Sequence, residues 1–198
     1  MEQLKPPVKR LNWRFGLWWV LATALGWVVG FTICEGVKSA LLSIRSSIGA
    51  PDGALIGTGI GLVQWLVLSR YLPRAGWWIP ATILGFAIGK AAGDSLAGHI
   101  TGLLGFALGG AMIGFLVGIA QWCVLSKKIP KPGWWILASA VGWAAGWTII
   151  NIMDESAGGP ISTIYLIGAL GAAVAGLITG AAMVRLSQIN PEPAAENR

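Results

Sequence analysis

Long apolar stretches that are almost free of charge recur along this chain and restrict its fold more than any other feature. Several approach the roughly 20 residues that an α-helix needs to cross the hydrocarbon core of a bilayer. Only 11% of the 198 residues are charged and 55% are hydrophobic, against roughly 25% charged residues in an ordinary soluble domain. Because the runs are continuous rather than alternating, and lipid cannot satisfy exposed backbone groups, they predict helices and not strands. We therefore expect an all-α, multi-pass integral membrane protein.

The stretches predict six transmembrane helices. They cover residues 16–34, 53–69, 77–92, 102–126, 134–152 and 162–184. The third is the weakest, because Lys90 and Asp94 interrupt its far end. The first follows a basic segment, as in a signal sequence. However, it is long, lacks a clear small-x-small cleavage site and is followed by further spans, so we interpret it as an uncleaved helix.

Basic residues are divided unevenly between the two ends of these helices. One side would hold 11 of the 14 bases, and the other only Lys38, Arg45 and, near the end of a span, Lys90. The positive-inside rule then places both termini in the cytoplasm. We interpret the net charge of +6 as a topology signal that favours anionic lipid headgroups, and it gives no reason to expect nucleic acid as a partner.

The sequence predicts three copies of one helical hairpin. Each copy opens with a tryptophan pair, at 18–19, 77–78 and 134–135. Two glycines follow seven and eleven residues after the second tryptophan of each pair: Gly26 and Gly30, Gly85 and Gly89, Gly142 and Gly146. The predicted organisation is a basic segment (1–14), three hairpins (15–73, 74–130 and 131–187) and a polar tail (188–198) that we expect to be disordered.

The second helix of each hairpin carries a ladder of small residues at every fourth position. The ladder includes Gly57 and Gly61, Gly114 and Gly118, and Gly176 and Gly180. In two copies a glutamine follows on the same face, Gln64 and Gln121, and in the third copy we expect Met183 at this position. Small residues let two backbones approach closely in lipid, so we interpret both amides as packing pins worth about 0.6 to 2 kcal/mol. The alternative is a substrate or ion contact that lines a central cavity.

Three polar residues stand at matching positions near the predicted outer side. Glu35, Asp94 and Asn151 each lie five residues beyond the second glycine of their copy and would form a polar ring. Lys90 and Asp94 are four residues apart on one helix face and can pair. Two interpretations are open: a snorkelling pair at the outer interface, or part of an ion or proton pathway, since charge inside a membrane is costly and often functional.

The chain lacks the residue sets that catalysis and metal binding need. His99 is the only histidine, so a paired haem or metal site is not expected and only a single axial ligand to a pigment is conceivable. Cys34 and Cys123 fall at opposite ends of their spans, which excludes an intramolecular disulfide. Residues 37–48 are either an interfacial helix or a connecting loop. We expect neither enzymatic activity nor a cofactor.

The succession of a Gly ladder, Gln-Trp, Leu-Ser-base and Gly-Trp-Trp resembles a group of uncharacterised multi-pass bacterial membrane proteins, found mostly in cyanobacteria and other photosynthetic or filamentous lineages. The resemblance covers roughly residues 15–187 and implies a bacterial plasma membrane or a thylakoid-type membrane. It implies no activity and supplies no functional residues. Three tandem two-helix units are also similar to mitochondrial carriers, but the proline-acid-x-x-base signature of that family is absent here, so its function is not carried over.

Two functions are compatible with these features. We favour a non-catalytic structural, assembly or accessory subunit of a membrane complex, because intramembrane charge is scarce and all six helices carry small-residue faces. The alternative is a small-molecule or ion transporter or channel that uses the outer polar ring. A transporter needs a hydrated cavity that reaches the bilayer midplane, whereas a structural bundle is close-packed there.

Overall fold

A computed structural model describes residues 11–41, 49–126, 133–157 and 161–188 of the chain. These residues form six α-helices, and no strand occurs among them. The helices are α1 (Trp13–Ala40), α2 (Ala50–Leu68), α3 (Trp78–His99), α4 (Gly102–Leu125), α5 (Gly133–Ala157) and α6 (Ile161–Gln188). A 3₁₀ turn, Ala75–Trp77, precedes α3. The expected all-α class is confirmed.

Local chemistry explains where several of these helices begin. The side-chain oxygen of Asn12 accepts a hydrogen bond from the backbone N–H of Phe15 at 3.2 Å and so caps α1. Pro51 lies in the first turn of α2, where its missing N–H costs nothing. Two glycines with positive φ, Gly49 (49°) and Gly102 (71°), let the chain turn before α2 and α4.

Five of the six helices are long and apolar enough to cross a membrane by length and composition. The exception is α3, which carries the charges of Lys90 and Asp94 in its second half. Many large apolar side chains on the outer surface are exposed, among them Leu25, Leu84, Leu104, Leu166 and Leu177. Since a protein in water rarely leaves so much apolar surface uncovered, these faces indicate contact with a lipid bilayer.

The six helices form a closed ring. Each helix packs against the next one in the chain, and α6 packs against α1. Two apolar clusters fill the ring. One lies around Trp19, Trp78 and Trp135 at the end where α1 begins, and the other lies further along, around Trp27 and Trp143.

One predicted boundary is extended in the structure, and several predicted segments lie outside the described residues. α1 runs beyond the predicted span 16–34, so residues 37–40 continue this helix and do not start a separate interfacial one. The rest of that segment, residues 42–48, lies outside the described residues. The same holds for residues 1–10 of the basic segment and for residues 189–198 of the polar tail.

Candidate functional site

Each tryptophan pair points one ring outward and one ring toward the axis of the bundle. The outward rings are 53, 74 and 64% exposed: Trp18, Trp77 and Trp134. The inner rings, Trp19, Trp78 and Trp135, are at most 1% exposed. Their centroids lie 5.6 Å (Trp19 to Trp78), 5.7 Å (Trp78 to Trp135) and 6.1 Å (Trp19 to Trp135) apart, all edge to face. This preferred aromatic geometry closes the axis at one level, which we call the tryptophan layer.

Gln64 connects the tryptophan layer to two neighbouring helices. Its Nε2 donates a hydrogen bond to Thr23 Oγ1 of α1 at 3.0 Å. Its Oε1 accepts a hydrogen bond from the indole N–H of Trp78 in α3 at 3.0 Å. The amide is buried, so both of its polar ends use partners inside the bundle. A single side chain of α2 therefore ties together the helices on either side of it.

Gln121 makes the same two bonds one hairpin further along. Its Nε2 donates to Thr82 Oγ1 of α3 at 3.0 Å, and its Oε1 accepts from the indole N–H of Trp135 in α5 at 3.1 Å. The threonine hydroxyls are free to accept because each donates its own proton to a backbone carbonyl four residues earlier. Thr82 donates to Trp78 at 2.8 Å, and Thr23 donates to Trp19 at the same distance.

The third copy uses a different residue from the expected Met183. The indole N–H of Trp19 donates to Thr179 Oγ1 at 3.1 Å, which joins α6 to α1. Gln64 lies three residues after Gly61, and three residues after Gly176 the sequence places Thr179. Met183 lies one turn further and packs in the apolar cluster around the tryptophan layer.

Because the third copy has Thr179 where the other two have a glutamine, one neighbouring side chain does not receive the hydrogen bond that its counterparts receive. Ser139 of α5 stands four residues after Trp135, as Thr23 does after Trp19. Its hydroxyl oxygen is buried and has no hydrogen-bond partner among the described residues. Thr179 has no amide N–H to offer and donates its proton to the carbonyl of Ala175 at 2.8 Å. The contact between α5 and α6 therefore lacks the polar pin that the other two hairpins have.

The glycine pairs of α1, α3 and α5 contact the partner helix of the same hairpin. A methyl group added at Gly26 would lie 2.6 Å from Ile60 Cα, and one added at Gly85 would lie 2.6 Å from Val117 Cα. At Gly142 it would lie 3.2 Å from the carbonyl oxygen of Ala175. The second glycines lie equally close to backbone atoms of α2, α4 and α6: Gly30, Gly89 and Gly146.

The ladder glycines of α2, α4 and α6 contact the following hairpin instead. A methyl group at Gly57 would lie 3.0 Å from the Thr82 carbonyl oxygen, and one at Gly118 would lie 2.9 Å from Ile136 Cα. A methyl group at Gly176 would lie 3.0 Å from the side chain of Thr23, in α1. The remaining ladder positions face the same helices: Gly61, Gly114 and Gly180. Each of the six helix–helix interfaces of the ring thus includes at least one closely packed glycine.

Beyond the tryptophan layer a second set of aromatic side chains fills the axis. Trp27, Phe86 and Trp143 follow the three inner tryptophans by eight residues each and are buried. Phe86 meets Trp143 edge to face at 4.8 Å, and Trp27 lies 6.5 Å from Trp143. Aromatic rings therefore fill the axis at two successive levels.

Lys90 reaches the axis at the next level. Its Nζ lies 2.7 Å from Asp94 Oδ2, one helical turn away, and 5.4 Å from the ring centroid of Trp147 in α5. Since α5 does not neighbour α3 in the ring, this cation–π contact crosses the interior. The lysine side chain is 11% exposed and that of its aspartate 37%. The ion pair predicted from the sequence therefore forms, with the ammonium group buried in the bundle and the carboxylate more exposed at its surface.

The other two members of the expected polar ring bond within or beside their own helices. Glu35 lies 3.5 Å from Lys38, which also forms a 2.8 Å ion pair with the buried Asp52 of α2. Asn151 donates through Nδ2 to the carbonyl of Trp147 at 2.8 Å. Among the described residues, Asp94 and Asn151 are connected only indirectly, since Lys90 and Asn151 both contact Trp147, and Glu35 pairs with Lys38 instead.

The remaining candidate residues have simple environments. His99 is exposed, and its Nδ1 lies 2.6 Å from the carbonyl oxygen of Ser95. Cys34 is buried and Cys123 exposed, and both are free thiols. Within the described ranges no three His, Cys, Asp or Glu side chains are grouped to hold a metal ion.

Several residues of this site were missed by the sequence analysis. They are the hydroxyl partners of the amides and the outer ion pair: Thr23, Thr82, Thr179, Lys38 and Asp52. A usable signal was present, because Trp-x-x-x-Thr or Trp-x-x-x-Ser recurs at 19–23, 78–82 and 135–139. Trp122 is exposed, whereas Trp65 packs partly buried against the cluster around the tryptophan layer.

No known protein family, curated protein or solved structure matches this chain.

Proposed function

We propose that this chain is a non-catalytic integral membrane protein that serves as a structural, assembly or accessory subunit of a membrane complex. The observation that carries this proposal is the tryptophan layer, in which three buried indoles meet on the axis within 6.1 Å of one another. All three indole N–H groups are already bonded, to Gln64, Gln121 and Thr179. An ion or polar solute on the axis would meet only apolar ring surface there, and conduction needs polar ligands that replace its hydration shell.

The alternative, a transporter or channel, has less support. It requires Glu35, Asp94 and Asn151 to act together, whereas their described partners are Lys38, Lys90 and the carbonyl of Trp147. Lys90 does reach the interior, but two aromatic levels lie between it and the base-rich end of the bundle. Its contacts with Asp94 and Trp147 fit a role in fixing α3 against α5.

We further propose three tandem two-helix repeats, with α3 as a sixth span and both termini in the cytoplasm. The support for repeats is that Gln64 and Gln121 make matching pairs of bonds, and that glycine contacts alternate regularly around the ring. The support for a sixth span is that α3 packs between α2 and α4, both long and apolar enough to cross a membrane. Cytoplasmic termini follow from the uneven division of bases.

A flux assay tests whether the axis of the bundle is closed to ions. The purified protein in liposomes should leave permeability to K⁺, Na⁺ and protons at the level of protein-free liposomes. A protein-dependent flux that Lys90→Ala or Asp94→Asn abolishes would overturn the proposal and favour a channel.

Crosslinking in native membranes tests the subunit role. A photoreactive residue at Leu84, which is 59% exposed on the outside of α3, should give crosslinked bands of defined mass. The matched control is Phe86, two residues away and buried on the axis, which should give only intramolecular products. The absence of such bands at Leu84 and also at Leu166 and Leu177, which are at least as exposed, would contradict the proposed assembly role.

A further inference from the structure

A groove runs along the outside of the bundle between α1 and α6, at the base-rich end. It has a volume of about 410 Å³, and apolar side chains form most of its walls, among them Leu17, Val20, Leu177 and Val184. The lack of a side chain at Gly16 leaves open space in the wall of the groove. A methyl group added at Gly16 would meet nothing nearer than Val184 Cγ2 at 3.9 Å.

The length of the groove fits one leaflet of a bilayer. Along α6 its apolar part extends from Leu177 to Val184, which at 1.5 Å per residue is about 10 Å. The hydrocarbon core of a bilayer is about 30 Å thick, so this apolar part lies within the acyl-chain depth of a single leaflet, and Arg185 and Gln188 lie beyond it. A water-soluble ligand would find few hydrogen-bonding groups along a groove whose walls are mostly apolar.

Among the described residues that line the groove, the polar and cationic side chains lie only at its base-rich end. Arg185, Gln188 and Trp13 line it there, and the Arg14 guanidinium lies 5.7 Å from the Trp13 ring centroid. Both arginines are exposed, and neither forms an ion pair with any of the described residues. The described carboxylates belong to the opposite end of the bundle, where Glu35 and Asp94 lie near the ends of α1 and α3.

We propose that this groove binds one anionic phospholipid of the leaflet at the base-rich end. The phosphate accepts hydrogen bonds from Arg185 and Arg14, because a guanidinium offers paired N–H donors that match phosphate oxygens. The indole of Trp13 lies at headgroup level, as tryptophan does in membrane proteins generally. One acyl chain fills the slot between α1 and α6, and so covers the junction at which the last helix of the ring meets the first.

A second groove provides an internal control. It lies between α1 and α2, is about 210 Å³ in volume, and has a single arginine, Arg70, with Trp18 at its end. It is about half as large. Each groove has one arginine in its wall, but only the larger one has a second arginine, Arg14, beside its tryptophan. Arg70→Gln therefore removes the same charge from the same end of the bundle without touching the proposed lipid.

Native mass spectrometry of the full-length protein, mixed with equal amounts of phosphatidylglycerol and phosphatidylcholine, tests the proposal. The protein should retain one phosphatidylglycerol in preference, and Arg185→Gln and Arg14→Gln should each lower its retention by about fivefold. Gly16→Leu keeps every charge and fills the slot, so it should also displace the lipid. Arg70→Gln should retain lipid as the unchanged protein does.

Three results would overturn the proposal. Equal retention of the two lipids would show ordinary annular lipid. Equal losses in Arg185→Gln and Arg70→Gln would show that only the overall charge matters. Unchanged retention in both Arg185→Gln and Gly16→Leu would show that the lipid binds elsewhere. Because Arg185 is exposed and Gly16 has open space beside it, these variants are expected to fold, and circular dichroism of each one checks this.

Discussion

Gln64 shows how an amide is accommodated inside an apolar helix. Its position on the glycine face is predictable, because positions three and four residues apart share a helix face. Its two partners are not, since a face says nothing about which neighbouring helix supplies an acceptor or a donor. Thr23 lies 41 residues before it and Trp78 lies 14 residues after it. The same limitation led to Met183 being expected where Thr179 stands.

Gln64→Met should destabilise the protein by about 1 to 3 kcal/mol, because it leaves the buried indole N–H of Trp78 without an acceptor. This is more than the 0.6 to 2 kcal/mol that one interhelical hydrogen bond would give. Gln121→Met should cost a similar amount, since Trp135 loses its acceptor in the same way. Unfolding in detergent, followed by circular dichroism, measures both. Unchanged stability in both variants would exclude a packing role for the amides.

Two hydroxyls at equivalent positions, Thr82 and Ser139, should respond differently to removal. Thr82→Val keeps the shape of the side chain but removes the acceptor for Gln121, and should cost about 1 kcal/mol. Ser139→Ala removes a buried hydroxyl without a partner in the described part of the chain, so it should leave stability within about 0.5 kcal/mol or raise it. The same unfolding experiment compares the two. A cost for Ser139→Ala as large as that for Thr82→Val would mean that Ser139 does have a partner.

Entire helices of this protein associate through glycine faces, and the fourfold spacing in the sequence predicts that such faces exist. The sequence does not say which face meets which helix. In the structure the glycines of α1 contact α2, and those of α2 contact both α1 and α3. Close approach replaces the hydrophobic effect, which cannot drive helices together when lipid is as apolar as leucine.

Two glycines of α1 form a matched pair for testing this packing. A methyl group at Gly30 would run into backbone atoms of Ile56, whereas nothing lies within 4 Å of one at Gly36. Gly30→Ala should therefore lower stability by about 1 to 3 kcal/mol, the usual cost of overpacking. Gly36→Ala should leave it unchanged or raise it by up to about 1 kcal/mol through helix propensity. Equal effects of the two substitutions on the unfolding midpoint would contradict the proposed interface.

At the scale of the whole molecule, composition is enough to predict a helical membrane protein, but not a ring. Closure depends on contacts between α1 and α6, and no local pattern in the sequence encodes a contact between residues as distant as Trp19 and Thr179. For α3, the weakest of the predicted spans, composition is less informative than the structure. The charges of Lys90 and Asp94 lower its hydropathy, and the structure gives the lysine partners within the bundle.

The topology prediction concerns the chain as a whole. In a variant without Cys34 and Cys123, a single cysteine at Gln3 or Asn197 should not react with a membrane-impermeant maleimide added to intact cells. It should react once the cells are permeabilised. Labelling of either position from outside would place that terminus on the other face and contradict the expectation from the division of bases.

Hydrogen exchange of the indole N–H groups, measured by NMR on the protein with ¹⁵N-labelled tryptophan in lipid nanodiscs, tests the sealed axis most directly. The inner and outer members of each pair are adjacent in sequence, so each inner indole has its own control. Trp19, Trp78 and Trp135 are hydrogen-bonded and buried, and their indole protons should exchange with deuterium only as the bundle opens. Those of Trp18, Trp77 and Trp134, which are exposed, should exchange far faster. If the inner three exchange as fast as the outer three, water reaches the axis and the account of a dry, closed bundle is wrong.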